Sequence, residues 1–534
     1  MSFSATPISY KDTRSFSRLI LDYLAGDKNL SPFYTYAPDA GGVEMATRDR
    51  NNFNVDRALL VNVLCKQYEA LPEYPEVKRN IDNLSLANCY TVCTAHQPNI
   101  FTGHLYFIYK IFHAIRLAET LKKDHPTYEF VPVYYMGSED ADLEELGQVE
   151  LYQKSFTWKT KQSGAVGRMM IDKPFTKLIQ ELESALTVEK YGDEIIGLVK
   201  SCYRDGISIE AATQKFVHAL FGQYGLVILM PDDAELKGSF APVMQKELET
   251  KFSRAIVDKT IGEMPEAYKI QAAGRDINLF YLKDNIRERI VEDGAGFIIA
   301  NSDIAFTKGE MSAELKNHPE RFSPNVILRP LYQEFILPNV AFIGGGGELA
   351  YWLELKDLFE EAGVFFPALI LRNSFMLVMQ KQSAKLNSLG LPFSSIFVSA
   401  EALVNNYVRE NTANQLLLTD EKISLAKLYS AFSEKAEKVD SSLGKHVVNL
   451  QAKALKKIDG LEKKMLKAEK EKFEAAERQI IKIKSALFPG GTLQERKDNI
   501  LYWYAVFGPA ILEEIYNHSS ALEQHFKVLE DVDG

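Results

Sequence analysis

The sequence predicts an α/β protein: a Rossmann-like, mostly parallel sheet with helical insertions, followed by a C-terminal α-helical coiled coil. Three observations carry this expectation. Between residues 88 and 375, short and nearly continuous apolar runs alternate with stretches of helical period, as in strands covered by helices on both faces. Most of those runs end in clusters of polar and turn-forming residues. From residue 419 onward, apolar residues recur three and four apart through a Lys- and Glu-rich segment, the mark of a coiled-coil seam.

Composition narrows the class. A chain of 534 residues, 46% apolar and 25% charged, can bury a large core in more than one domain. Its net charge of −10 argues against general nucleic-acid binding, which demands a basic face. Four cysteines in this length do not make a disulfide framework. The N-terminus lacks a charged leader followed by an apolar segment, and no apolar run is long enough to span a bilayer. The expectation is a cytoplasmic protein with neither nucleic acid nor membrane as partner.

Taken in order, residues 1–87 read as a helical and irregular segment packing on the core, with helical period at Phe16–Leu24 and Val55–Leu71 and loop at Ser31–Tyr36 and Asp39–Gly42. Residues 88–375 form the Rossmann-like core. Its strands are expected at Cys89–Ala95, Phe130–Met136, Gly225–Met230, Gly296–Ala300, Val340–Ile343 and Phe365–Leu371, with helices at Leu236–Phe252 and Glu348–Ala362 among the connections. Residues 376–418 connect the core to a coiled coil at 419–487. There Ala454, Ile458, Leu461, Met465 and Ala468 are in register, and Phe473, Ala476, Ile480, Ile483 and Leu487 resume it after a skip. Gly444 and Gly460 are candidate interruptions. An antiparallel hairpin with Ile423, Leu425, Leu428 and Phe432 and a homodimer through this seam are both open. Pro489-Gly490-Gly491 stops the helix, and 488–534 is expected to return to the core.

Candidate site residues gather at the ends of the runs, where open α/β sheets bind ligands. After the first run come His96, Gln97 and Asn99, then Thr102, Gly103 and His104 at the start of a helical pattern beginning at Leu105. That strand–turn–helix arrangement suits an anion, with Thr102 as N-cap. After the second run, Glu139, Asp140 and Asp142 bring three carboxylates together, able to hold an ammonium, take its proton or bind Mg²⁺; acids decorating a helix N-terminus are the plainer alternative. Gly344, Gly345 and Gly346 begin a four-glycine run that allows close backbone approach, although no P-loop or dinucleotide fingerprint is present. Arg329 and Gln333 lie upstream as carboxylate or phosphate donors. Cys89, Cys93, His96 and His104 invite a zinc reading, but the two cysteines sit too far apart along a strand for one metal, so no metal set is assigned.

Six segments in order then resemble one family. They are Thr94–Tyr106 (Thr-Ala-His-Gln-Pro-Asn-Ile-Phe-Thr-Gly-His-Leu-Tyr), Gly137–Glu145, Tyr224–Asp233, Ser323–Gln333, Ile343–Trp352 and Leu487–Arg496 (Leu-Phe-Pro-Gly-Gly-Thr-Leu-Gln-Glu-Arg). Together the set is similar to the cysteine ligases of bacillithiol synthesis, the BshC family, across nearly the whole chain. Ala95-His96 stands where that family has Gly-Gln, His104 where it has proline, and Ala141 where it has histidine. The resemblance implies a ligase that joins the cysteine carboxyl to the amine of glucosaminyl-malate. ATP is the expected activating cofactor, with a requirement for Mg²⁺ left open. In this scheme Glu139, Asp140, Asp142 and His104 are catalytic, Thr102, Gly103 and Gly344–Gly346 hold the nucleotide, and His96, Gln97, Asn99, Arg329, Gln333, Glu348 and Tyr351 bind substrate. Two alternatives stand beside it: another class I synthetase-like nucleotidyltransferase or amino-acid-activating ligase, and a non-catalytic coiled-coil interaction protein whose polar strand ends need not converge.

Overall fold

The structure, a computed structural model, describes residues 2–294 and 296–533. It divides into two compact units, one formed by residues up to Lys11, Ser15–Leu377 and Leu493–Asp533, the other by Asp12–Arg14 and Val378–Thr492.

At the centre of the first unit is a five-stranded sheet built from β1 (Cys89–His96), β2 (Glu129–Met136), β3 (Val227–Leu229), β4 (Asn339–Gly344) and β5 (Ala368–Leu371). The order is β5-β4-β1-β2-β3 and every neighbouring pair is parallel. These strands are apolar on both faces because both are covered. The buried Thr94 hydroxyl is satisfied by donating to the Ile343 carbonyl of β4 at 2.8 Å, and that of Thr91 by donating to Asn339 Oδ1 at 3.2 Å. The chain lays β2 and β3 to one side of β1, then returns to lay β4 and β5 on the other. A switch point therefore lies between the carboxyl ends of β1 and β4, where doubly wound sheets open a crevice.

Helix α1 (Leu105–Asp124) follows β1 and buries Leu105, Ile108, Ile111, Phe112, Ile115, Leu117 and Leu121, the residues whose spacing predicts it. Ala114, Leu117, Ala118 and Leu121 share one core cluster with Tyr90, Val92, Ile343 and Ile370 of the sheet. Each fully buried Leu or Ile contributes about 1.5–3 kcal/mol. Helix α2 (Ala234–Thr250) begins at Asp233, whose carboxylate accepts from the Glu235 and Leu236 N–H groups. It ends before Phe252 because Lys251 is left-handed, at φ 53°. Helix α3 (Leu328–Ile336) precedes β4, and α4 (Gly346–Leu353) follows it. The helix expected to run unbroken from Glu348 to Ala362 is interrupted at Glu354, whose buried carboxylate accepts from the Gln271 and Ala272 N–H groups.

Three further expectations are corrected. Gly296–Ile299 is a strand, but it belongs to an antiparallel sheet with Leu279–Lys283, Ile286–Asp293, Ala305–Thr307 and Phe322–Pro324, not to the parallel core. Ile298 is 38% exposed between buried Phe297 and Ile299, as on a sheet with one wet face. The N-terminal segment also contributes a strand, Phe3–Ile8, paired antiparallel with Phe526–Asp531; and Asp39, read as loop, caps a helix at Ala40–Asp49.

The second unit is helical: α5 (Ala400–Asn411), α6 (Thr419–Glu437), α7 (Leu443–Lys470) and α8 (Glu474–Leu487). Helices α6 and α7 form the antiparallel hairpin, pinned by Glu462, which accepts from the Leu418 N–H and from Lys422. Gly460 does not interrupt α7; the break falls at Glu471–Phe473, where the heptad skips. The seam is not wholly buried. Ile423, Leu428, Phe432 and Leu461 remain 45–50% exposed, whereas Ile480, Ile483 and Leu487 of α8 are buried. Among the described residues no helix is long and apolar enough to cross a membrane.

Candidate active site

A cavity of about 370 Å³ opens at the carboxyl end of the parallel sheet, over the switch point. Four strand ends supply its floor: Ala95, His96 and Gln97 at the end of β1, Gly137, Glu139 and Asp140 after β2, Gly345–Glu348 after β4, and Arg372 after β5. Arg329 and Tyr351 come from α3 and α4, Arg496 from the C-terminal return, and Arg287, Ser323 and Asn325 from the antiparallel sheet and the turn after it. Segments up to about 400 residues apart thus share one pocket.

The three acids of the second strand end have separate fates. Asp140 faces the cavity with Oδ2 accepting from Gln97 Nε2 (3.2 Å) and Oδ1 accepting from the Ala141 and Asp142 N–H groups (2.7 and 3.3 Å). Glu139 turns inward, its Oε1 2.5 Å from Lys237 Nζ. Lys237 also binds Asp232 (2.6 Å), which Arg168 grips with two nitrogens at 2.6 and 2.7 Å. Burial holds the Glu139 carboxyl above the ordinary range despite Lys237, with the charge of Asp232 adding to the effect. Against the same burial, Lys237 and Arg168 hold Asp232 down at about 2, while Glu210 behind them is pushed up to about 7 by burial and by Asp232. Asp142 is exposed and caps the short helix Leu143–Leu146 by accepting from the Glu145 N–H. The acids therefore offer no shared coordination point, and among the described residues no group of three or more His, Cys, Asp or Glu is placed to hold a metal.

The turn after β1 divides as well. His96 and Gln97 line the cavity; Asn99, Thr102, Gly103 and His104 do not. Thr102 is not the N-cap of α1. It has φ 71°, and His104 occupies the cap position without a side-chain bond. The N–H of Leu105 donates to the Asp498 carbonyl at 2.8 Å, and His104 Nδ1 lies 3.3 Å from the Lys497 carbonyl. Chain from the C-terminal return thus covers the start of α1, where the sequence suggested an anion. Gly103 is a structural glycine: φ 63°, ψ −134°, with a side chain's Cβ falling 2.8 Å from that of Asn99. Burial, with the charges of Lys110, His104 and Arg372, keeps the His96 imidazole far below its usual pKa, hence neutral.

In the glycine run, Gly345 and Gly346 line the cavity and Gly344 does not; a Cβ on Gly344 would strike Leu349 and Phe342 at 2.9 Å, so packing explains it. Gly347 also lines the cavity, and a Cβ there meets nothing within 4 Å. Glu348 accepts from the Gly345 N–H (2.8 Å) and from buried Lys110 (2.6 Å). Arg329 donates to the Tyr351 hydroxyl (2.6 Å) and to Gln333 (3.1 Å); Gln333 is fully buried behind it, outside the cavity.

Several residues that line the cavity or hold its lining in place escape sequence reading. Arg372 stood at an expected strand end but was indistinguishable from a loop residue; it is buried, paired with Glu495 through both terminal nitrogens (2.8 and 2.9 Å). Lys110 and Lys237 sit within helical patterns that give no sign of burial. Arg287 lies in a hairpin that carries no motif.

Comparison with known proteins follows the same division of the chain. "Bacillithiol biosynthesis BshC, N-terminal Rossmann-like domain" matches residues 3–373, and the C-terminal coiled-coil domain of the same description matches 375–530. Relatives provisionally named cysteine ligase BshC include those of Flavobacterium johnsoniae, 38% identical over 98% of this chain and 99% of that protein, and Christiangramia forsetii, 39% over 98% of each. Another, from Cytophaga hutchinsonii, is 36% identical over 96% of this chain and 97% of that protein.

Proposed function

This chain belongs to the BshC family of bacillithiol biosynthesis, and we propose that it is a cysteine ligase forming the amide between the cysteine carboxyl and the amine of glucosaminyl-malate. One observation carries the reading: polar strand ends remote in sequence meet in a single cavity at the switch point, with an oriented carboxylate, a helix N-terminus and several arginines facing one another. A non-catalytic scaffold gives no reason for that convergence.

In this reading Asp140 takes the proton of the attacking ammonium. Its orientation is fixed by Gln97 and two backbone N–H groups, and such proton transfer is worth about 10²–10⁴ in rate. Glu139 lines the same cavity, with its charge offset by Lys237 at 2.5 Å. An activating nucleotide fits the opposite wall. Gly346 and Gly347, in the first turn of α4, line the cavity, where first-turn N–H groups lack helical partners, and Arg496 supplies positive charge there. When bound, ATP supplies the leaving group that a free carboxylate lacks. Arg329, with Tyr351, suits the cysteine carboxyl, and neutral His96 and the Tyr106 ring close the floor. His104, Asn99, Thr102, Gly103, Gly344, Gln333 and Asp142 do not line the cavity and have no part at the reacting centre in this reading.

In the second unit, the half-exposed apolar residues of α6 fit a second copy of the same hairpin, which makes a homodimer the proposed assembly. The activity is tested by incubating the purified chain with cysteine, glucosaminyl-malate and ATP and reading the thiol product by mass. Product that depends on all three components is expected; nucleotide cleavage with cysteine but no coupled product would point to a different acceptor.

A further inference from the structure

The wall of the cavity made by the antiparallel sheet carries two polar groups that the protein itself leaves without partners. Arg287, on the strand Ile286–Asp293, lies with its guanidinium 4.0 Å over the Phe280 ring, and its Nε is buried with no hydrogen-bond partner. No ion pair reaches it among the described residues. Ser323 stands opposite Phe280 on the neighbouring strand, fully buried, and its hydroxyl is likewise unpartnered. A buried guanidinium nitrogen and a buried hydroxyl left open in this way cost free energy unless a ligand completes them. Arginine donors in a planar fork select a carboxylate or phosphate. Arg287 lines the same cavity as Asp140, the carboxylate assigned to the amine, and Asp140 is the charge that acts on it most strongly.

Resting on the ligase reading above, we infer that Arg287 and Ser323 form the subsite for the malate carboxylate of the amine substrate, making Arg287 the residue that selects a sugar bearing malate over one without it. The substrate's own geometry supports the pairing. The amine and the malate-bearing oxygen occupy adjacent carbons of the sugar ring, so the group that binds malate must stand next to the group that binds the amine. Arg287 and Asp140 meet that requirement, whereas Arg372 is already held by Glu495 and Arg329 by Tyr351 and Gln333.

The test is calorimetric titration of the full chain and its Arg287→Gln, Arg287→Lys and Ser323→Ala variants with three probes: glucosaminyl-malate, L-malate and methyl glucosaminide, which has no carboxylate. Arg287→Gln is expected to weaken glucosaminyl-malate and L-malate on the order of 10- to 100-fold and leave methyl glucosaminide within about twofold. Arg287→Lys should recover part of the loss, and Ser323→Ala should lose less than Arg287→Gln. In turnover the defect should appear in KM for glucosaminyl-malate and not in KM for cysteine. Equal weakening of all three probes, or unchanged binding of the two malates, overturns the subsite. A wild-type chain that takes L-malate in an Arg287-dependent way but refuses glucosaminyl-malate would instead overturn the substrate reading while keeping the carboxylate site.

Discussion

Replacing Lys237 by methionine tests the charge network beneath the cavity. Methionine nearly preserves the length and volume of the side chain, so the change removes a charge more than it opens a void. Lys237 is 1% exposed and touches both Glu139 (2.5 Å) and Asp232 (2.6 Å). Asp232 keeps its two bonds from Arg168, so Glu139 alone loses its cation. Breaking a buried ion pair from one side costs about 3–5 kcal/mol. The penalty must depend on pH. Burial already holds the folded-state pKa of Glu139 above its unfolded value of 4.5, and losing Lys237 raises it further. A carboxyl raised on folding favours the folded state most below its unfolded pKa, and that contribution is lost as pH climbs through the folded pKa. The penalty should therefore be smaller near pH 4.5 than at pH 8. Urea unfolding followed by the fluorescence of the buried Trp158, Trp352 and Trp503, all in the first unit, reads it directly. Adding Glu139→Gln to Lys237→Met should restore most of the loss at pH 8. A penalty below about 1 kcal/mol, or one equal at both pH values, would refute the network's assigned energetics.

Asp140→Asn should lower kcat by about 10²–10⁴ with the unfolding midpoint unchanged; near-normal turnover would remove Asp140 from the mechanism. Gly103→Ala should destabilise the first unit by about 1–3 kcal/mol through backbone strain alone, measured by urea denaturation, with the Asn99 contact adding to it. Leu428→Asp combined with Phe432→Asp should halve the mass observed by sedimentation if α6 pairs two copies, and leave it unchanged if the hairpin is self-contained.

The sequence carries the strand and helix pattern well because that information is local. A run such as Val340–Ile343 needs both faces covered whatever covers them, and the spacing from Leu105 to Leu121 defines a helix whichever sheet it packs on. The skip between Ala468 and Phe473 likewise marks the break at Glu471–Phe473. Local pattern misleads where an equally apolar run has another destination, as with Gly296–Ile299, since antiparallel and parallel partners are chosen by distant strands.

By itself, then, the amino-acid order determined the polar tips at Gln97, Asp140 and Gly345 and the sheet that presents them. Only the tertiary structure decided which tips face the cavity. The Asp498 carbonyl, almost four hundred residues beyond α1, takes the Leu105 N–H and covers the start of that helix; Lys237 draws Glu139 inward; and a hairpin brings Arg287 to the open wall. Hydrogen-bond partners and buried charges are settled by chain segments that meet only after folding, and no spacing within one motif records them.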